Sequence, residues 1–192
     1  MKIGLFADGL WGVKTLSALL KKKYKILFIV LRYKKRNNEI DIRKLAKKNK
    51  IDVYVFKKIN NISIIKKINK YNFDIFISIS YNQILKENLF NLPYLKSINC
   101  HAGLLPKYRG RNIINWALIN GEKKFGITVH YVDEGIDTGD IINQETYQID
   151  DNDDYSTLLD IAYIECSNIL VQTIKEIQAG TSKRVKQETI HP

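Results

Sequence analysis

Tyr24-Lys25-Ile26-Leu27-Phe28-Ile29-Val30-Leu31 contains an unbroken apolar run, Ile26 to Leu31. Six residues make a strand; a membrane helix needs about 20 apolar residues in succession. The run does not alternate polar with apolar, so neither side of the strand is meant for water. Strands buried on both faces belong to parallel sheets covered by helices. Its neighbours support that reading. Upstream, Lys2 to Phe6 is a second apolar strand, and Gly9 to Leu20 has Leu10, Val13, Leu16 and Leu20 at helical spacing. Downstream, Asp41 is placed to cap a short helix, Asp52 to Phe56 is a strand, and Ile62 to Tyr71 is helical. Phe73 to Ser80 is a strand, Gln83 to Phe90 a short helix and Lys96 to His101 a fifth strand. Strands alternating with helices predict an α/β fold, a doubly wound, Rossmann-like, mostly parallel sheet with helices on both faces. Ligands of such sheets bind at the carboxyl ends of the strands.

The alternation then changes. Asn112 to Asn120 reads as a helix, Gly126 to Val132 and Asp140 to Ile149 as strands, and Tyr155 to Ala179 as one long amphipathic helix. No internal repeat, Ser/Gly linker or low-complexity tail interrupts the chain. A single domain over 1–180 is expected, followed by a polar C-terminal tail over 181–192.

The 192 residues carry 31 Lys and Arg against 20 Asp and Glu, a formal net charge of +11. A basic surface attracts polyanions. Yet Lys far outnumbers Arg, and Lys, Asn and Ile are abundant together, as in proteins encoded by A/T-rich DNA. Lys21-Lys22-Lys23 and Lys34-Lys35-Arg36 read first as solvated surface and second as an anion-binding face. The start, Met1-Lys2-Ile3-Gly4-Leu5-Phe6, has no signal-peptide layout, so a cytoplasmic protein that stays off the membrane is expected. Cys100 and Cys166 suit neither a disulfide framework nor a metal pair and are expected buried and reduced.

The chemistry concentrates at Ser97-Ile98-Asn99-Cys100-His101. Side chains two apart on a strand share a face, so Asn99 and His101 point together and Cys100 points away. An amide can stabilise an oxyanion, and an imidazole can move protons near neutral pH. A lone His at a strand end is more often structural, and the surroundings must decide. Gly103-Leu104-Leu105-Pro106 and Tyr108-Arg109-Gly110-Arg111-Asn112 follow, then Gly126-Ile127-Thr128-Val129-His130 and Asp133-Glu134-Gly135-Ile136-Asp137-Thr138-Gly139-Asp140. Asp137 lies in a turn between Gly135 and Gly139, where a carboxylate is aimed at an imidazole or merely caps the turn. His130, in mid-strand, reads as structural and His191 carries no reading. His101, His130 and Asp137 match no compact ligand motif, so no metal is expected. Gly9 and Gly12 do not form a GxGxxG fingerprint, so no dinucleotide is expected.

Together these motifs resemble the folate-dependent formyltransferases, which include methionyl-tRNA formyltransferase, glycinamide ribonucleotide transformylase and the sugar-nucleotide N-formyltransferases. The resemblance rests on Asn99-Cys100-His101, Leu104-Leu105-Pro106 and Asp137-Thr138-Gly139, with 38 residues from Asn99 to Asp137. It runs from about Lys2 to Gly180. It implies 10-formyltetrahydrofolate as formyl donor and a primary amine as acceptor, with Asn99, His101 and Asp137 as catalytic residues. His101 would move the amine proton, Asn99 would bind the oxyanion, and Asp137 would orient His101. The donor would lie against Tyr81, Asn82, Gln83, Ile84 and Leu85 after the fourth strand, and against Leu104, Pro106, Asp133 and Gly135.

The wording of Ile98 to Gly103, Tyr108 to Trp116 and Phe125 to Asp133 is most similar to the sugar-nucleotide enzymes. The implied acceptor is then a nucleotide-linked amino-dideoxysugar, such as dTDP-4-amino-4,6-dideoxyglucose, used in surface polysaccharide or lipopolysaccharide biosynthesis. Lys107, Arg109 and Arg111 suit its diphosphate; Arg109 serves equally as a brace for its own loop. Tyr108, Asn112 and Trp11 complete the implied acceptor contacts, although Trp11 and Tyr81 also fit a core. A homodimer is implied and nucleic acid is not, with a methionyl-tRNA acceptor as the alternative.

Overall fold

The computed structural model describes residues 1–32 and 39–187. The Lys34-Lys35-Arg36 run and His191 lie outside the described residues. The chain divides into two compact units, Met1–Asn99 and Cys100–Pro192.

In the first unit, β1 (Lys2–Ala7), α1 (Gly9–Lys21), β2 (Lys25–Leu31), α2 (Glu39–Lys48), β3 (Asp52–Val55), α3 (Ile62–Ile68), β4 (Ile75–Ile79) and α4 (Glu87–Phe90) alternate as expected. β1 pairs in parallel with both β2 and β4, and β2 pairs in parallel with β3. From β1 the chain steps outward to β2 and β3, then returns to β4 on the other side. With right-handed crossovers, that reversal puts helices on both faces and opens a switch point between the carboxyl ends of β1 and β4. The apolar run behaves as read: Phe28, Ile29, Val30 and Leu31 have no exposed surface. Phe28 is edge-on to Phe6, Phe73 and Phe76, with ring centroids 5.9–6.4 Å apart, which makes β1, β2 and β4 one aromatic core.

Three helical expectations need correction. The buried stripe of α1 is Gly12, Thr15, Leu16 and Leu19, while Leu10 is exposed. Small residues suit the side of a helix that lies against another element, and an apolar count overlooks them. α2 begins at Glu39, so Asp41 lies inside its first turn and does not precede it. The helix expected over Gln83 to Phe90 is confined to Glu87–Phe90, because the Gln83 and Ile84 positions are tied to another loop, as described below.

β5 (Ser97–His101) follows, then α5 (Ile113–Ile119), β6 (Lys124–Tyr131), β7 (Ile141–Gln148) and α6 (Tyr155–Ala179). The strand order is β3-β2-β1-β4-β5-β6-β7. β6 and β7 form an antiparallel hairpin-like pair with a bulge between Val129 and His130. α6 opens with a capping box: Asp154 accepts from Ser156 and Thr157 main-chain N–H groups at 2.8 and 2.9 Å, and Thr157 Oγ1 accepts from the Asp154 N–H. It closes on Gly180 at φ 70°. Such caps satisfy main-chain groups that the helix leaves orphaned at its ends. The Cys100 Sγ points to the Cys166 carbonyl of α6 at 3.6 Å, and both thiols are buried and unpaired. No helix among the described residues is long and apolar enough to cross a membrane.

Candidate active site

β5 delivers Asn99 and His101 to one side, opposite the Cys100 thiol that faces α6. His101 is 8% exposed, and its Nε2 lies 2.6 Å from the Tyr108 carbonyl. A carbonyl only accepts, so Nε2 carries a hydrogen and Nδ1 is left to face Asp137 Oδ2 at 3.5 Å. Gly103 makes this possible. A methyl group there would collide with both His101 Nε2 and the Tyr108 carbonyl, the two atoms of that hydrogen bond.

The loop after β5 is clamped by residues that the sequence reading passed over. Buried Thr128 of β6 donates to the Gly103 carbonyl at 2.7 Å and accepts from the Leu105 N–H at 3.3 Å. Gln144 of β7 donates to Thr128 Oγ1 and to the Leu105 carbonyl, both at 2.8 Å. The Leu105–Pro106 peptide is cis.

Asp137 occupies a left-handed backbone conformation, φ 54°. The turn around it is tight: Asp133 Oδ1 accepts from the Gly135 N–H at 3.1 Å and from Thr138 Oγ1 at 2.7 Å. Gly139 is needed because a side chain there would run into the Tyr131 carbonyl. The Asp137 carboxylate thereby meets three groups: the Gly110 N–H at 3.0 Å, His101 Nδ1 at 3.5 Å and His130 Nε2 at 3.4 Å. His130 is therefore more than a mid-strand filler, which corrects the sequence reading. Its Nδ1 donates to the Tyr131 carbonyl at 2.8 Å, which aims Nε2 at Asp137.

Each imidazole thus spends one nitrogen on a carbonyl and turns the other to the carboxylate. With both rings neutral, each would turn a nitrogen lone pair toward the carboxylate. Burial depresses the basicity of His101, with attraction to Asp137 opposing it in part. Burial pushes Asp137 upward, but His130, His101 and the Gly110 N–H together outweigh it and hold the acid below the ordinary carboxylate range. Asp137 is therefore an anion set between the two rings.

The remaining candidates divide. In the second unit, Lys107 is paired with Glu122, which also accepts from Tyr108 Oη at 2.6 Å. Arg109 is forked on Gln187, with Nε and Nη2 at 3.0 and 2.7 Å from its Oε1. Arg111 and Asn112 are exposed, Leu104 and Pro106 half-buried. Asp133 and Gly135 are spent on shaping the turn. In the first unit, the loop after β4 is braced from within that unit. Gln83 accepts from the Ile59 N–H at 2.9 Å and donates to the Phe56 carbonyl at 2.8 Å, while Asn60 bonds Ile84 O and the Lys86 N–H, both at 2.8 Å. Tyr81 is half-buried, 5.6 Å from the Phe6 ring, Leu85 is buried, and Asn82 and Ile84 are exposed. Trp11 is half-buried on α1.

The chain is similar to known proteins along most of its length. The model of the formyl transferase family matches residues 8–174. The chain is 35% identical over 193 residues to a methionyl-tRNA formyltransferase of Clostridioides difficile, covering 97% of this chain and 62% of the relative. It thus spans about three fifths of that curated relative's length. WlaRD, a sugar 3N-formyl transferase solved with dTDP and 5-N-formyl-THF, superposes with a TM-score of 0.77 at 29% identity, over 99% of this chain and 67% of its own. The N-formyltransferase from Helicobacter canadensis, solved with folinic acid and dTDP-3-aminofucose, gives 0.75 at 25% identity over 99% and 68%. The chain belongs to the formyl transferase family.

Proposed function

We propose that this protein transfers a formyl group from 10-formyltetrahydrofolate to the primary amine of a nucleotide-linked amino-dideoxysugar. The observation that carries the reading is the Asp137 carboxylate set between two imidazoles, 3.5 Å from His101 and 3.4 Å from His130, beside the strand that bears Asn99. Formyl transfer to an amine needs a group that takes a proton from nitrogen and a donor for the oxygen that gains charge. His101, kept largely neutral by burial, is suited to the first task. The Asn99 amide is suited to the second. Asp137, locked as an anion, orients His101 and stabilises it once it is charged.

The donor supplies an activated formyl carbon. Tyr81 to Leu85 suit its flat, hydrogen-bonding heterocycle, because an exposed Ile84 sits on a backbone already braced by Gln83 and Asn60. The sugar-nucleotide acceptor is supported by the two solved relatives that bind dTDP or a dTDP-sugar. Identity to methionyl-tRNA formyltransferase favours a second acceptor, methionyl-tRNA. The test is an acceptor panel with 10-formyltetrahydrofolate: dTDP- and GDP-linked amino-dideoxysugars, methionyl-tRNA and glycinamide ribonucleotide. Formylation of one sugar nucleotide is expected. Turnover confined to methionyl-tRNA would keep the chemistry and replace the acceptor.

A further inference from the structure

Gln187 lies beyond the residues matched by the family model, in a segment whose sequence is polar and unremarked. That segment is held to the second unit by an antiparallel bridge, Val185 to Ile141, and by Arg184 on Asp140 at 2.6 Å. The Gln187 carboxamide then uses every hydrogen-bonding position it has. Its Nε2 donates to the carbonyls of Asp137 at 2.9 Å and Gly139 at 2.7 Å, and its Oε1 accepts both bonds from the Arg109 fork. The amide orientation is unambiguous, since carbonyls cannot donate and a guanidinium cannot accept.

We infer that Gln187 is a positioning residue that holds Arg109 ready for the phosphate-bearing end of the acceptor while pinning the turn that carries Asp137. Arg109 is met by a neutral amide oxygen and, among the described residues, by no carboxylate, so Gln187 orients its guanidinium without cancelling its charge. A planar fork held in this way matches two phosphate oxygens. Lys107, by contrast, is already neutralised by Glu122. The neighbouring Gly110 N–H binds the Asp137 carboxylate at 3.0 Å, so Gln187 and Gly110 cross-link the same two loops. Holding the anion site and holding the catalytic carboxylate are therefore one act. The inference builds on the proposed function, but it needs only that the acceptor carry phosphate, which sugar nucleotides, tRNA and glycinamide ribonucleotide share.

The experiment is calorimetric titration of the protein with inorganic pyrophosphate and with dTDP, alongside acceptor kinetics and thermal melts. Variants are Arg109→Ala, Gln187→Ala, Gln187→Met, Gln187→Glu and the Arg109→Ala, Gln187→Ala pair. Gln187→Met keeps length and packing and so guards against a folding defect. Pyrophosphate affinity is expected to fall about ten-fold in Arg109→Ala and in Gln187→Met, with no further loss in the double variant, because an immobilised charged hydrogen bond is lost in each. Gln187→Glu is expected to bind pyrophosphate more weakly than Gln187→Ala, since a carboxylate cancels the Arg109 charge. Acceptor KM should rise with kcat falling as well. Wild-type protein that ignores pyrophosphate, or Gln187 variants that melt earlier yet bind and turn over as wild type does, would overturn the inference. Pyrophosphate effects as expected, together with formylation of tRNA alone, would overturn the sugar acceptor and leave Gln187 in its role.

Discussion

The two units bury different kinds of matter. In Met1–Asn99 the centre is hydrocarbon: Phe6, Phe28 and Phe76 are fully buried, and the polar groups buried there, Asp8, Thr15 and Ser97, are few and small. In Cys100–Pro192 the buried set includes His101, Thr128, His130, Ser167 and Thr173. An apolar core is stabilised by area alone and tolerates small adjustments. Buried polar groups contribute only when each has its partner, and they are costly otherwise. The first unit is thus a scaffold whose stability comes from packing. In the second, the hydrogen bonds around Asp137 fix the positions of the groups proposed to act in formyl transfer.

The contrast can be broken at its extremes. Phe28→Ala removes an aromatic packed against four others and should cost about 3–5 kcal/mol. A denaturant melt checks this, and the folded fraction should keep its kcat/KM. Gly103→Ala should do the reverse. It forces His101 off the Tyr108 carbonyl and should lower kcat/KM about 100-fold, since small misplacements of a reacting group are that expensive. A melt that changes far less than the rate would confirm it.

Thr128→Val tests the clamp between these limits. It leaves the Gly103 carbonyl and Leu105 N–H without their partner and should cost about 1–3 kcal/mol, while releasing the loop that holds Pro106. Asp154→Ala, which removes the capping box of α6 far from the proton cluster, should cost about 1 kcal/mol in a melt with kinetics unchanged.

The smallest effects concern pH. His101 has a lowered pKa in the fold, so the unfolded chain binds more protons and stability falls as pH drops below the ordinary imidazole value of about 6.5. Asp137 is lowered too, so a further loss begins as pH falls through the ordinary carboxylate value of about 4. Asp137→Asn removes the attraction that offsets burial and should move His101 lower still. NMR titration of its ring protons reads this directly, and an upward shift would contradict it.

Much of the first unit was legible in the sequence because its logic is periodic. An unbroken apolar run of six residues read as a strand buried on both faces, and the alternation of strand and helix indicated a parallel, doubly wound sheet, whose strand order came only with the structure. The misread stripe of α1 shows the limit: Gly12 and Thr15 face inward because they are small, which a search for apolar residues does not see. Asn99, the last residue of the first unit, and His101 and Asp137 of the second stood out through residue type, strand parity and resemblance. Thr128, Gln144 and Gln187 did not, since their value lies in what they touch across 16 to 78 residues of chain. His130 was legible only as a strand residue. Its alignment on Asp137 depends on the bulge beside it and on the Tyr131 carbonyl.

The most direct measurement is the transfer of labelled formyl from 10-formyltetrahydrofolate to the acceptor panel by wild-type protein and by Asn99→Ala and His101→Ala. Labelled product is expected with wild type, and a fall of about 100- to 10,000-fold in each variant, the range in which positioned acid–base and oxyanion groups act. Labelled product formed equally well without His101 would contradict the proposed transfer, as would a wild type that formylates none of these amines.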